Sequence, residues 1–119
     1  MAHNFKELDI WKKSMVLVKD IYLLLADLPS QERFGLISQI QRSAVSIPSN
    51  IAEGSGRKSD KEFNYFLTIS LSSSFELETQ LLLSEELYQL NVNPVLTDLN
   101  TIQRMIVGFK KRFELQSNI

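Results

Sequence analysis

The sequence has no cysteine and one histidine, with three prolines and four glycines among its 119 residues. Without cysteine there is no disulfide scaffold, no thiol nucleophile and no thiolate-held zinc. His3 alone cannot furnish a multi-histidine metal site or leave a second imidazole for a triad, so neither metal nor cofactor is expected. Long apolar runs are also missing, and a membrane span needs ~18 consecutive apolar residues. The start Met-Ala-His-Asn-Phe-Lys-Glu has none of the apolar core of a secretory signal. A cytoplasmic protein with no membrane partner is the expectation. Neither charge dominates: 13 Lys and Arg stand against 14 Asp and Glu, a net charge of −1, so the sum does not advertise a nucleic-acid binder.

What is present is ordinary globular composition, 44% hydrophobic and 23% charged, which argues against disorder and fits one domain over residues 1–119. The scarce glycines and prolines punctuate helices. Pro29-Ser30, Gly54-Ser55-Gly56 and Asn91-Val92-Asn93-Pro94 divide the chain into four segments.

The first segment, about Leu8 to Leu28, carries two apolar seams. Leu8, Trp11, Met15, Val18, Tyr22 and Leu25 form one, and Ile10, Leu17, Ile21, Leu24 and Leu28 the other. Two adjacent seams make a face broader than one helix contact requires, which reads first as a well-buried bundle helix and otherwise as a helix part of whose face meets another subunit. The second segment is expected to start at a Ser30 N-cap, with Gln31 and Glu32 in its first turn. From Leu36 to Arg57 its apolar and polar residues separate into two halves at helical spacing. The pattern keeps register across Pro48, so one kinked but continuous helix is expected.

Ser59-Asp60-Lys61-Glu62 reads as a capping box opening a third helix that runs to about Leu90, with Ser70, Ser73 and Ser74 allowing close approach at its centre. Asn93 is expected to cap the fourth helix, with Pro94 in its first position. Short connections make neighbouring helices antiparallel. The reading is an all-α, up-down-up-down four-helix bundle.

Little in the chain points to chemistry. His3 lies in a tail expected to fray, and no carboxylate pair or nucleophile with its base stands out. The run Gly54-Ser55-Gly56-Arg57-Lys58-Ser59 fails the phosphate-loop pattern, since Arg57 replaces the glycine before the lysine and a helix replaces the preceding strand. No enzyme and no small-molecule substrate is expected. Glu53 is read as an ion-pair partner of Arg57, one turn on.

The charge distribution is more informative. The topology gathers Lys6, Lys12, Lys13, Arg57, Lys58, Lys61, Lys110, Lys111 and Arg112 at one end, against six acids, for about +3. Arg57, Lys58, Lys61, Lys110, Lys111 and Arg112 are the candidate nucleic-acid contacts. Residues 62–100 hold six acids and no Lys or Arg, and Asp98 is placed at the opposite, acidic end. A further stripe, Arg42, Ser46, Asn50 and Glu53, has short side chains and amides unlike a freely solvated face, so partial burial in the bundle or between subunits is expected.

The run from Glu32 to Gly54, with Ser46-Ile47-Pro48-Ser49-Asn50-Ile51-Ala52-Glu53-Gly54 at its end, resembles the bacterial four helix bundle family, also called the ribosomal RNA intervening-sequence protein family. Phe5-Lys6-Glu7-Leu8-Asp9-Ile10-Trp11, Phe66-Leu67 and Glu76-Leu77-Glu78 fit as well, so the resemblance covers nearly the whole chain. It implies an antiparallel bundle that assembles as a homopentamer, some members being encoded within intervening sequences of large-subunit ribosomal RNA genes. A related branch, the accessory variability determinant of diversity-generating retroelements, binds nucleic acid and a reverse transcriptase through a strongly basic ring, a charge this chain lacks. The functional expectation is a non-enzymatic homo-oligomeric module that contacts RNA or a nucleoprotein partner through its basic end. The alternative is a protein-binding scaffold without nucleic-acid affinity.

Overall fold

A computed structural model describes residues 3–117. Among them are four α-helices and no strand: α1 (Asp9–Leu24), α2 (Leu36–Ser55), α3 (Asp60–Tyr88) and α4 (Asn93–Ser117). Each packs on its neighbours in the order α1–α2–α3–α4 and α4 closes back on α1, the expected bundle, 50 × 20 × 20 Å. Among the described residues no helix is long and apolar enough to cross a membrane.

The first helix buries Ile10, Leu17 and Ile21, one of its two seams, and ends earlier than expected in a 3-10 turn over Leu25–Asp27. The second starts later than expected. Ser30 opens a separate 3-10 turn, and α2 begins at Leu36, whose N–H donates to the Glu32 carboxylate at 3.1 Å. A carboxylate on the first free N–H groups of a helix satisfies a donor and complements the dipole, which is why Glu32 and not Ser30 sets this start. At the other end, α2 stops at Ser55 with Gly56 as its cap, within the expected Gly54-Ser55-Gly56 break.

Pro48 lies inside α2, which continues through it as expected. Proline withholds the N–H that would bond the Ala44 carbonyl. Bonds from α3 secure the backbone beside this gap. Ser70 donates to the Ile47 carbonyl at 2.9 Å, and Ser46 and Ser73 share a hydroxyl bond of 2.7 Å. Farther along, Ser43 donates to Gln80 at 2.7 Å. Ser43, Ser70 and Gln80 are buried and all satisfied, as buried polar groups must be. Around them Ile40, Ile47, Ile51, Leu67, Leu77 and Leu81 are fully enclosed.

Ser59 does cap α3, accepting from the Glu62 N–H at 3.2 Å while its hydroxyl donates to the Glu62 carboxylate. Gln89 in the left-handed region closes the helix. The fourth helix starts at Asn93 itself, the Val92 carbonyl accepting from Leu96 N–H at 2.9 Å, so Asn93 lies inside the helix it was expected to cap.

The α2–α3 contact can be tested at Gly54. A Cβ there would stand 2.6 Å from the Phe66 Cβ and 2.9 Å from a Phe63 ring carbon. Helix propensity alone favours Gly54→Ala by about 1 kcal/mol. Overpacking costs about 1–3 kcal/mol, so urea denaturation is expected to show a net loss of stability in this variant, the sign opposite to propensity.

A second test concerns Glu32, whose other oxygen accepts the Tyr88 hydroxyl. That bond, then the Leu36 N–H, holds the Glu32 carboxyl below its usual range, and the same bond, with burial and the carboxylate charge, pushes the Tyr88 phenol up. A lowered carboxyl contributes stability present above its unfolded value and lost as pH falls through the folded one. The raised phenol contributes stability present below its unfolded value and lost as pH rises through the folded one. Tyr88→Phe is therefore expected to be less stable than wild type near neutrality, with the gap narrowing in acid and in strong alkali. NMR titration should show Glu32 moving up toward the ordinary carboxylate range in this variant.

Candidate functional site

The basic end is built by three pieces: the segment before α1, the α2–α3 turn and the last turns of α4. The N-terminal tail is tied down from His3 onward, contrary to the fraying expected of it. His3 N–H donates to the Ser55 carbonyl at 2.8 Å, and its ring sits 5.2 Å from Phe63 and within 6.4 Å of Phe109 and Phe113. Its Nε2 lies 3.9 Å from Asp60. Asn4 then caps the short turn Phe5–Glu7, and Phe5 meets Trp11 edge-on at 5.2 Å. Nothing in the sequence pattern marked His3 for this role, because one residue carries no periodicity.

Several candidate phosphate contacts are already engaged within the chain. Arg57 pairs with Glu53, as the one-turn spacing implied, and its guanidinium lies 4.7 Å from the Phe66 ring. Lys110 donates to Asn64 at 3.1 Å and to Thr68, with Glu114 at 3.8 Å, leaving its side chain only 15% exposed. Arg112 stacks 4.6 Å from Phe109 and shares a groove with Glu7 and Asp9. Lys58, Lys61 and Lys111 are exposed, and Lys61 borders a hollow with Asp60, Asn64, Phe113 and Gln116.

The structure also moves two lysines. Lys12 and Lys13 line the α1–α4 groove beside Asp98, Thr101 and Ile102, in the body of the bundle. Asp98 is therefore not at the acidic end where helix order alone placed it. Helix lengths explain both shifts: α4 has 25 residues and α1 only 16, so the end of α4 projects past the start of α1. Without Lys12 and Lys13 the basic end holds seven cations against six acids, about +1.

The polar stripe of α2 faces the α3 side. Ser46 and Asn50 are half-buried, with the Asn50 amide donating to the Ser46 carbonyl at 2.8 Å and hydroxyl at 2.9 Å. Arg42 and Glu53 are exposed in the single chain, and Arg42 makes no ion pair among the described residues.

Two helices carry exposed apolar faces, α3 at Phe75, Leu82, Leu83 and Leu87, and α1. The outward side of α1 carries Met15 at 45%, Val16 at 58%, Tyr22 at 44% and Leu23 at 68% exposure, beside half-buried Trp11 and Val18. Of the second seam, Leu25 is buried and Leu8, Trp11 and Val18 pack against the core, so it is Met15 and Tyr22, with Val16 and Leu23 beside them, that the core leaves outside. Lone exposed apolar side chains are common, but a contiguous set on one helix face marks an interaction surface.

No curated protein matches the chain. A family model described as 23S rRNA-intervening sequence protein matches residues 6–108, from the N-terminal turn to the middle of α4. That span includes the α1 face, the whole α2–α3 contact and the turn between them. The chain belongs to the 23S rRNA-intervening sequence protein family.

Proposed function

We propose that the protein is a non-enzymatic module that works by associating with copies of itself. The carrying observation is the outward face of α1, where four apolar side chains stay exposed although the core is complete without them. Covering that face is favourable by about 25 cal/mol per Å² of apolar surface removed from water. A closed ring of five is the assembly implied by the family resemblance. Sedimentation velocity or native mass spectrometry at micromolar concentration is expected to find an oligomer, and Met15→Glu with Tyr22→Glu to return it to monomer with helical circular dichroism unchanged. A 13.7 kDa monomer across that range would overturn the reading.

A second reading rests on exposed Lys58, Lys61 and Lys111 at one end of the molecule. In an assembly with parallel subunits these ends share one rim and meet a phosphate backbone together. One copy offers about +1, too little for more than feeble binding; several linked copies multiply it through effective concentration. Phosphate contacts release counterions, so RNA affinity is expected to fall steeply with salt and to vanish on reversing Lys58, Lys61 and Lys111 to Glu. Equal titrations by wild type and the triple variant would leave a protein scaffold without nucleic-acid affinity.

A further inference from the structure

The self-association proposed above leaves open which surface receives α1. We infer that the outward face of α1 docks on the outward face of α3 of the next copy, a head-to-tail contact between two different surfaces. This inference rests on the self-association reading and goes further by naming the partner face.

The two faces are built alike and differ in charge, lysines prevailing on α1, with Asp20 and the Asp98 of α4 at its margin, and glutamates on α3. On α1, Lys12 and Lys19 alternate with Val16 and Leu23 at four- and three-residue steps, which puts all four on one line beside Met15 and Tyr22. On α3, Phe75, Leu82, Leu83 and Leu87 are each between 42% and 60% exposed, and Glu76 and Glu86 stand among them. Among the described residues, none of these two lysines and two glutamates makes an ion pair inside the chain. Beyond Lys61 in its first turn, α3 has no cation of its own to compensate these glutamates, since residues 62–100 contain no Lys or Arg. An α1 face meeting another α1 face would set lysine against lysine, and α3 on α3 would set glutamate against glutamate. Only the unlike pairing covers both apolar patches and neutralises both sets of charge.

Position within the bundle fits the same pairing. α1 and α3 occupy opposite corners and run in the same direction, so one copy can use both faces at once. Their patches also lie at similar height. Lys13 of α1 borders Thr101 and Ile102 of α4, and the adjoining Gln103 of α4 donates to Glu78 of α3 at 2.9 Å. Contacts between unlike faces at similar height add subunits with little rise, and because α1 and α3 stand at opposite corners, closure into a ring requires in addition a turn at each contact.

The test uses the full chain and sedimentation velocity at low salt. Two double variants reverse one face each: Lys12→Glu with Lys19→Glu, and Glu76→Lys with Glu86→Lys. A third carries all four changes, and circular dichroism checks that each is folded. Each single-face reversal is expected to weaken association at least about tenfold. Mixing the two reversed proteins restores association between unlike copies, although strict alternation cannot close a ring of five, and the variant with all four changes associates on its own and recovers the wild-type assembly. Wild type that associates while both reversals leave it unaffected overturns this pairing but not self-association. The pairing also fails, and self-association again survives, if each reversal weakens association but neither the mixture nor the four-fold variant recovers it. A monomeric wild type overturns both.

Discussion

The close seating of α2 on α3 is the constraint on which the rest of this molecule depends. An amphipathic helix with a proline in its middle and a polar half made of serines and amides is a poor free-standing element. It becomes a sound one because α3 comes near enough for hydroxyls to bond across the gap, at Ser43–Gln80, Ser46–Ser73 and Ser70–Ile47. That distance is possible because small side chains line the contact and Gly54 has no side chain where Phe63 and Phe66 pass. Serine here acts as a small residue first and a hydrogen-bonding one second. Each buried hydroxyl has a partner, so the polar content of the contact costs little while fixing its register.

Committing α2 and α3 to each other decides what the remaining surfaces are for. The core needs one seam of α1, and Ile10, Leu17 and Ile21 supply it. The second seam is only partly used, since Leu25 is buried and Met15 and Tyr22 are not, and the outward side of α3 likewise leaves Phe75, Leu82, Leu83 and Leu87 exposed. A helix hydrophobic on nearly every side is normally a buried one. In a chain of this size with four helices, α3 cannot be surrounded by its own bundle. The shortage of neighbours is a property of the fold, not of any single residue.

The bundle, its helix order, the passage of α2 through Pro48 and the Ser59 cap were legible in the sequence because periodicity and capping are local and repetitive. Features governed by one long-range contact were not. Glu32 replaces Ser30 at the start of α2 through a carboxylate that also receives Tyr88, 56 residues away. The helix does end within Gly54-Ser55-Gly56, but the close passage of Phe63 and Phe66 that requires a glycine at position 54 is a contact with α3 that no local pattern carries. Lys12, Lys13 and Asp98 were misplaced because helix order says which ends are near each other but not how far each helix overhangs. Among the candidate basic residues, those of the α2–α3 turn and the α4 end do meet at one pole, as topology alone required. That Lys110 folds back on Asn64 and Thr68 left no trace in the sequence pattern.

The chain has a single tryptophan, and it is Trp11, half-buried at the head of the outward seam of α1 with the Phe5 ring against its edge. An indole emits at shorter wavelength when its surroundings dry out. Every photon of tryptophan fluorescence from this protein therefore originates beside that seam, with no second indole to dilute it. The molecule carries its own optical label, placed where hydration changes when the seam is covered.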